Sequence, residues 1–159
     1  MGSQPPERSF MSAQNTPVTI IMIEDDEGHA RLIERNIRRS GVNNDILPFN
    51  NGTDAVKFLF GHDGTGFHQN GRALLILLDL NLPDMTGTDI LRLIKNNKYL
   101  RATPVVILTT TDDSHEIKRC YELGCSVYIT KPVNYENFAQ AIRQLGLFLS
   151  VIQVPEVEG

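Results

Sequence analysis

Four short runs of valine, isoleucine and leucine, at 18–23, 73–78, 105–108 and 127–129, are too uniformly apolar to be strands with one face in water. Such runs suit a parallel sheet, whose strands are buried on both faces by the crossover segments that connect them. The intervening segments have the spacing those crossovers need. Ala30, Ile33 and Ile37 recur at helical intervals among charged residues, and Ser40-Gly41 supplies a stop with glycine in the left-handed cap. A short strand is expected over 45–49, and Asn51-Gly52-Thr53-Asp54 opens a second helix carrying Val56, Phe58 and Leu59. The polar, glycine-rich stretch 61–72 reads as a surface loop. Pro83 marks a turn before a helix over 87–96, and Asp112-Asp113-Ser114 caps another that reaches Leu123 and stops at Gly124. Asn134 caps a last long helix. Five strands alternating with five helices predict a doubly wound α/β sandwich, since each crossover must be right-handed.

The chain of 159 residues has room for one such domain, and its 41% hydrophobic content suits a globular core. The expected organisation is a disordered N-terminal extension over 1–16, the folded domain over 17–150, and a tail over 151–159 that can serve as a dimerisation arm. No run reaches the roughly 18 apolar residues of a membrane span, and the N-terminus lacks the apolar stretch of a signal peptide, which predicts a cytoplasmic protein without a membrane partner. The two cysteines, Cys120 and Cys125, are too few for a disulfide framework or a structural zinc site and read as small buried residues. A net charge of −4 with scattered basic residues argues against a nucleic-acid surface.

Each apolar run is followed by polar residues: Glu24-Asp25, Asp79, Thr109 and Lys131. In an open parallel sheet, ligands bind beyond the carboxyl ends of the strands, so these residues converge. Paired acids with a further aspartate offer oxygen ligands to a hard divalent cation, and Mg2+ suits them because it keeps waters that a phosphate can replace. An aspartate facing a phosphoryl group bound there can act as its nucleophile. Lys131 and Mg2+ would neutralise charge in transfer, and the Thr109 hydroxyl would hydrogen-bond the phosphoryl oxygens. A lone aspartate at a strand end is usually a helix cap and a lone lysine usually solvated, so it is the joint occurrence that carries the inference.

The motifs IMIEDD, LLILLDLNLPDMTG, PVVILTTT and VYITKPV resemble those of the receiver domains of two-component response regulators, a CheY-like, flavodoxin-like fold. Their spacing matches as well, with 30 residues from Asp79 to Thr109 and 22 from there to Lys131. The resemblance implies strand order 2-1-3-4-5 and a protein that receives a phosphoryl group on Asp79 from a sensor histidine kinase, without turnover of an external substrate. It implies Mg2+ bound directly by Asp25, Asp79 and the Asn81 carbonyl, with Glu24 acting through water. Asp26 is the alternative ligand, because Glu24-Asp25-Asp26 allows two registers. It also implies a switch in which the Thr109 hydroxyl moves toward the phosphate and Tyr128 turns inward, and a cis Lys131-Pro132 peptide. The segments NNGTDAVKFLFG and TTTDDSHEIKRCYELGCSVYITKPV are most similar to stand-alone regulators paired with phytochrome-type kinases.

In the last helix, Phe138, Ile142, Leu145 and Leu149 share one face, whereas Leu147 and Val151 fall opposite, with Phe148 between. That second apolar patch predicts a homodimer built on this helix and the segment 151–157. His62 and His68 read as solvated loop residues. Two other functions compete. A haloacid-dehalogenase-like phosphatase would also use a strand-end aspartate with Mg2+, but such enzymes place a second aspartate where this chain has Asn81. A pseudo-receiver would bind partners without being phosphorylated. A nucleotidase lacks its glycine-rich GxxxxGK sequence, and a flavin carrier would meet three acids beside the cofactor phosphate.

Overall fold

The computed structural model describes residues 18–39, 41–61, 73–131, Glu136, Gln140 and Ala141. Five strands and four helices alternate along these residues: β1 (Thr19–Ile23), α1 (Glu27–Arg39), β2 (Ile46–Phe49), α2 (Gly52–Phe60), β3 (Leu74–Leu78), α3 (Gly87–Lys95), β4 (Val105–Thr109), α4 (Ser114–Leu123) and β5 (Val127–Thr130). All pairings are parallel, in the order β2-β1-β3-β4-β5. Apart from Glu136, Gln140 and Ala141, which are helical, the expected last helix lies outside the described residues, as do the loop at 62–72, both termini, the Lys131-Pro132 peptide and the surface of Leu147, Phe148 and Val151.

Every residue of β1, β3 and β4 is buried, as unbroken aliphatic runs require, while the outer strands β2 and β5 are only half covered. Alternation along the strands divides the core in two. Ile21, Ile23, Ile76, Leu78, Val105 and Ile107 face α2, α3 and α4 through Leu59, Ile90, Ile94 and Cys120. Ile20, Met22, Leu75, Leu77, Val106 and Leu108 pack on the other side with Ile33 and Ile37 of α1. Pro48 sits in β2, where an edge strand tolerates a missing donor. Strand two begins at Ile46, one residue later than the sequence pattern suggests.

Local chemistry sets the helix ends. Asn51 and Thr86 cap α2 and α3 by accepting from the amides of Asp54 and Asp89. Asp113 occupies the same position in α4 without a side-chain bond, contrary to the expected cap. That helix opens instead on a backbone bond from Ile117 to Asp113. Gly41 and Gly124 take positive φ (87° and 110°) after α1 and α4, as their sequence positions predict.

Asp84 ties the loop after β3 to the start of α2, 31 and 32 residues away in sequence. Its carboxylate accepts from the amides of Gly52 at 2.9 Å and Thr53 at 2.7 Å, and from the Thr53 hydroxyl. The hydroxyl bond, followed by the Gly52 amide, holds its pKa down at about 2, against an ordinary 3.8. A depressed carboxylate stabilises the fold fully above its unfolded pKa and loses that contribution as pH falls through the folded value. Asp84→Ala is therefore expected to lower the urea midpoint at neutral pH. Its gap to wild type should begin to close below pH 3.8 and keep narrowing toward about pH 2. A gap that widened on acidification would show that the carboxylate is not held this way.

Candidate functional site

The carboxyl edge of the sheet is level where the site forms, because Ile23 pairs with Leu78 and Leu78 with Ile107. Backbone bonds continue past the strand ends. Glu24 N donates to Phe49 O, Asp79 N to Ile23 O and Lys131 N to Thr109 O, at 2.9, 3.0 and 2.7 Å. Glu24, Asp79 and Lys131 are thus fixed by the sheet itself.

Glu24, Asp25 and Asp79 each present a carboxylate oxygen, and these atoms lie within 4.8 Å of one another. Glu24 and Asp79 are buried and Asp25 is exposed. The Lys131 ammonium donates to Glu24 Oε1 at 2.5 Å and to Asp79 Oδ2 at 3.2 Å, with all three side chains under a tenth exposed. One ammonium against three carboxylates leaves two negative charges, the deficit a divalent cation fills, and an all-oxygen donor set suits a hard one. The strain of this crowding shows at Glu24. Burial pushes its pKa up, the Lys131 bond pulls it down, and the Asp79 charge raises it again.

The structure separates the two possible acid registers. Asp26 is exposed and accepts from His29 N at 2.9 Å, which is the work of an N-cap for α1, and that bond holds its pKa below the ordinary range. Asp25, not Asp26, joins the cluster with Glu24 and Asp79.

Asn81 shapes the other side. Its amide N donates to Asp79 Oδ1 at 3.0 Å, a turn that aims the carboxylate, and its Nδ2 reaches the hydroxyls of Thr109, Thr110 and Thr111 at 3.2, 3.2 and 3.5 Å. Thr109 is fully buried at the end of β4. Tyr128 is half-buried. Its hydroxyl donates to Thr111 O at 2.7 Å, and its own amide donates to Tyr121 Oη at 3.1 Å. Burial pushes the Tyr128 phenol up and the thiol of Cys125 up to about 12, so neither ionises near neutrality. Cys120 and Cys125 are free and buried, as expected.

The sequence reading brought Glu24, Asp25, Asp79, Asn81, Thr109 and Lys131 to one edge, and the structure assembles them there. It missed His29, whose Nδ1 lies 3.1 Å from Lys131 Nζ, and Asp84. Spacing alone hinted at the first, since Asp26 stands three residues before His29, as an N-cap does before the amide it receives.

An open parallel sheet with acids, a lysine and a hydroxyl at its carboxyl edge defines a class of α/β domain that can handle a phosphoryl group. The response regulator receiver domain model matches residues 20–143, and the chain belongs to that family. It is 32% identical over 143 residues to the response regulator Rcp1 of Synechocystis sp., covering 89% of this chain and 95% of Rcp1. A response regulator receiver domain from Rhodospirillum rubrum superposes with a TM-score of 0.74 at 71% identity, over 84% of this chain and 94% of that one. The phosphorylated cyanobacterial phytochrome response regulator RcpA gives 0.68 at 31% identity over the same shares. Rcp1 has been solved in a Mn(2+)-bound form, which shows that a relative's fold takes a divalent cation. This family signals rather than turning over substrates, which sets the phosphatase reading aside. No helix among the described residues is long and apolar enough to cross a membrane.

Proposed function

We propose that Asp79 is the phosphoacceptor of this response regulator and that the donor is a phosphohistidine on a phytochrome-type sensor histidine kinase. The observation that carries the assignment is the setting of its carboxylate. Of the three clustered acids, Glu24 is already held by Lys131 and the Asp26 amide, and Asp25 is exposed. Asp79 alone is buried between the ammonium and the Asn81 turn, with one oxygen on each. The similarity to RcpA and Rcp1 supports the choice of kinase.

In transfer, an Asp79 oxygen forms a bond to phosphorus as the P–N bond to the donor imidazole breaks, and the leaving nitrogen keeps the electron pair. Lys131 offers its ammonium to the phosphoryl oxygens, and Glu24, Asp25, Asp79 and the Asn81 carbonyl are the groups that would hold Mg2+. When bound, that ion neutralises charge on the phosphoryl oxygens. The same site loses the phosphoryl group to water, so the protein resets itself. Thr109 is the sensor. A phosphoryl oxygen that takes its hydroxyl draws it from Asn81, and Thr111 lies next on this path. Its amide approaches Thr109 Oγ1 at 3.5 Å, and its carbonyl holds Tyr128. Movement at Thr109 therefore releases Tyr128, which turns inward and changes the surface a partner reads. Self-association through the last helix belongs to this reading, and sedimentation with and without phosphorylation tests it.

Incubation with Mg2+ and acetyl phosphate, followed by intact mass, is expected to show one phosphoryl adduct on wild type, stable in acid and labile in base, and none on Asp79→Asn. Wild type that stays unmodified with both acetyl phosphate and phosphorylated histidine kinases would leave a partner-binding pseudo-receiver as the better account.

A further inference from the structure

An ammonium group has three N–H donors and no acceptor. At Lys131 all three have partners: Glu24 Oε1 at 2.5 Å, His29 Nδ1 at 3.1 Å and Asp79 Oδ2 at 3.2 Å. Because the lysine can only donate, Nδ1 accepts, and the imidazole proton sits on Nε2. The next neighbour of Nδ1, Glu24 Oε2, is farther away at 3.9 Å. The backbone that carries the ring is fixed, although the side chain itself is 45% exposed. His29 lies in the first turn of α1, and its amide is pinned by the Asp26 cap at 2.9 Å.

We infer that His29 is a positioning residue for Lys131, an uncharged third acceptor that holds the ammonium in place when the phosphoryl group arrives. The inference rests on Asp79 being the phosphoacceptor. Once Asp79 carries a phosphoryl group, the donor now spent on Asp79 Oδ2 is the one that turns to the new oxygens. The Glu24 bond then keeps the nitrogen from following solvent, and the His29 bond keeps it from collapsing onto Glu24. Charge decides why an imidazole suits the task. A carboxylate at position 29 would add a negative charge to a cluster that already outnumbers its lysine, and it would repel the incoming phosphate. A neutral nitrogen fixes the ammonium and leaves its charge to the transfer.

The test compares His29→Leu, which removes the acceptor, with His29→Asn, whose Oδ1 can stand near the Nδ1 position. The rate of Asp79 phosphorylation is followed over a range of acetyl phosphate and Mg2+ concentrations. His29→Leu is expected to lower the maximal rate about three- to tenfold, the scale of one ordinary net hydrogen bond at a part-exposed side chain, with the Mg2+ half-saturation unchanged. His29→Asn should recover most of the loss. A leucine variant at the wild-type rate, or an asparagine variant as slow as leucine, overturns the inference. A second readout does not need phosphotransfer: in the unphosphorylated protein, exchange of the Lys131 ammonium protons, followed by NMR, should be faster in His29→Leu than in wild type. Equal exchange overturns it too. Wild type that takes no phosphate sinks the phosphoacceptor reading and His29's part in transfer with it. Active wild type beside unaffected variants sinks the role of His29 alone.

Discussion

Lys131→Met is expected to destabilise the protein by about 3 kcal/mol in EDTA, the lower end of the cost of removing one partner from a buried ion pair. The side chain is 6% exposed and stands between Glu24 at 2% and Asp79 at 7%, so water screens none of these charges well. Without the ammonium, two buried carboxylates face each other, and one of them takes up a proton. Glu24 already titrates above its ordinary 4.5 through burial and the Asp79 charge, and the variant removes the Lys131 bond that opposes them. The sign of the pH dependence follows. A group whose folded pKa is raised stabilises below its unfolded pKa, and that contribution is lost as pH rises through the folded value. The penalty of the variant should therefore grow as pH rises from 4.5 toward neutrality and be smallest in mild acid. Millimolar Mg2+ should restore much of the stability, since a cation bound to the folded state alone shifts the equilibrium by mass action. Phosphorylation should remain roughly a hundredfold slower even then, because Mg2+ does not replace the directed ammonium. Urea unfolding with and without Mg2+, beside phosphorylation by acetyl phosphate, separates the two losses. A variant as stable as wild type in EDTA at neutral pH would mean that the buried acids do not depend on Lys131.

The edge that Lys131 completes was legible in the sequence for a simple reason. Strands buried on both faces leave no ambiguity about where they lie, and each ends where the first polar residue appears. Ile23, Leu78 and Leu108 precede Glu24, Asp79 and Thr109, so locating the strands also located the site. The acid register was less clear, since Asp25 and Asp26 differ only in which way a loop residue points. The Asp26 bond to His29 resolves them, and an N-cap is visible in sequence only once the helix start is known to a single residue. Asp84 was not legible at all, and His29 only through its spacing from Asp26. Their partners are 31 and 102 residues away, at Thr53 and Lys131, and are met because a helix start and a segment beyond a strand end come together at the sheet edge. Spacing rules describe one element at a time. The empty cap of α4 failed the other way, since two aspartates and a serine satisfy the pattern while the helix opens on backbone bonds alone.

Gly87→Ala should be the most damaging of the single-methyl additions, with a stability loss of about 3 kcal/mol and slower phosphorylation. A Cβ at this position would stand 2.7 Å from Leu80 Cα and 3.0 Å from the Asp79 carbonyl carbon, and it would overlap the Asp79 carbonyl oxygen. All three are backbone atoms, so no side chain can turn aside to make room. The approach is built into the loop. Gly87 N donates to Leu80 O at 2.9 Å, and Asn81 bridges to Thr86, which folds 80–86 into a tight return from the end of β3 to the start of α3. Relieving the clash means moving either α3, whose Ile90, Leu91 and Ile94 are fully buried, or the segment that carries Asp79. The second route is the softer one, and it displaces the nucleophile. A shift near 1 Å can cost about a hundredfold in rate, so phosphorylation should fall by more than the fraction of protein unfolded. Gly41→Ala is the control. Gly41 has φ +87° with nothing within 4 Å of its Cβ position, so alanine there costs about 1 kcal/mol of left-handed strain and leaves the site alone. Phosphorylation by acetyl phosphate, corrected for the folded fraction measured by urea titration, should be near wild type for Gly41→Ala and well below it for Gly87→Ala. Equal corrected rates would mean that α3, not the Asp79 segment, gives way.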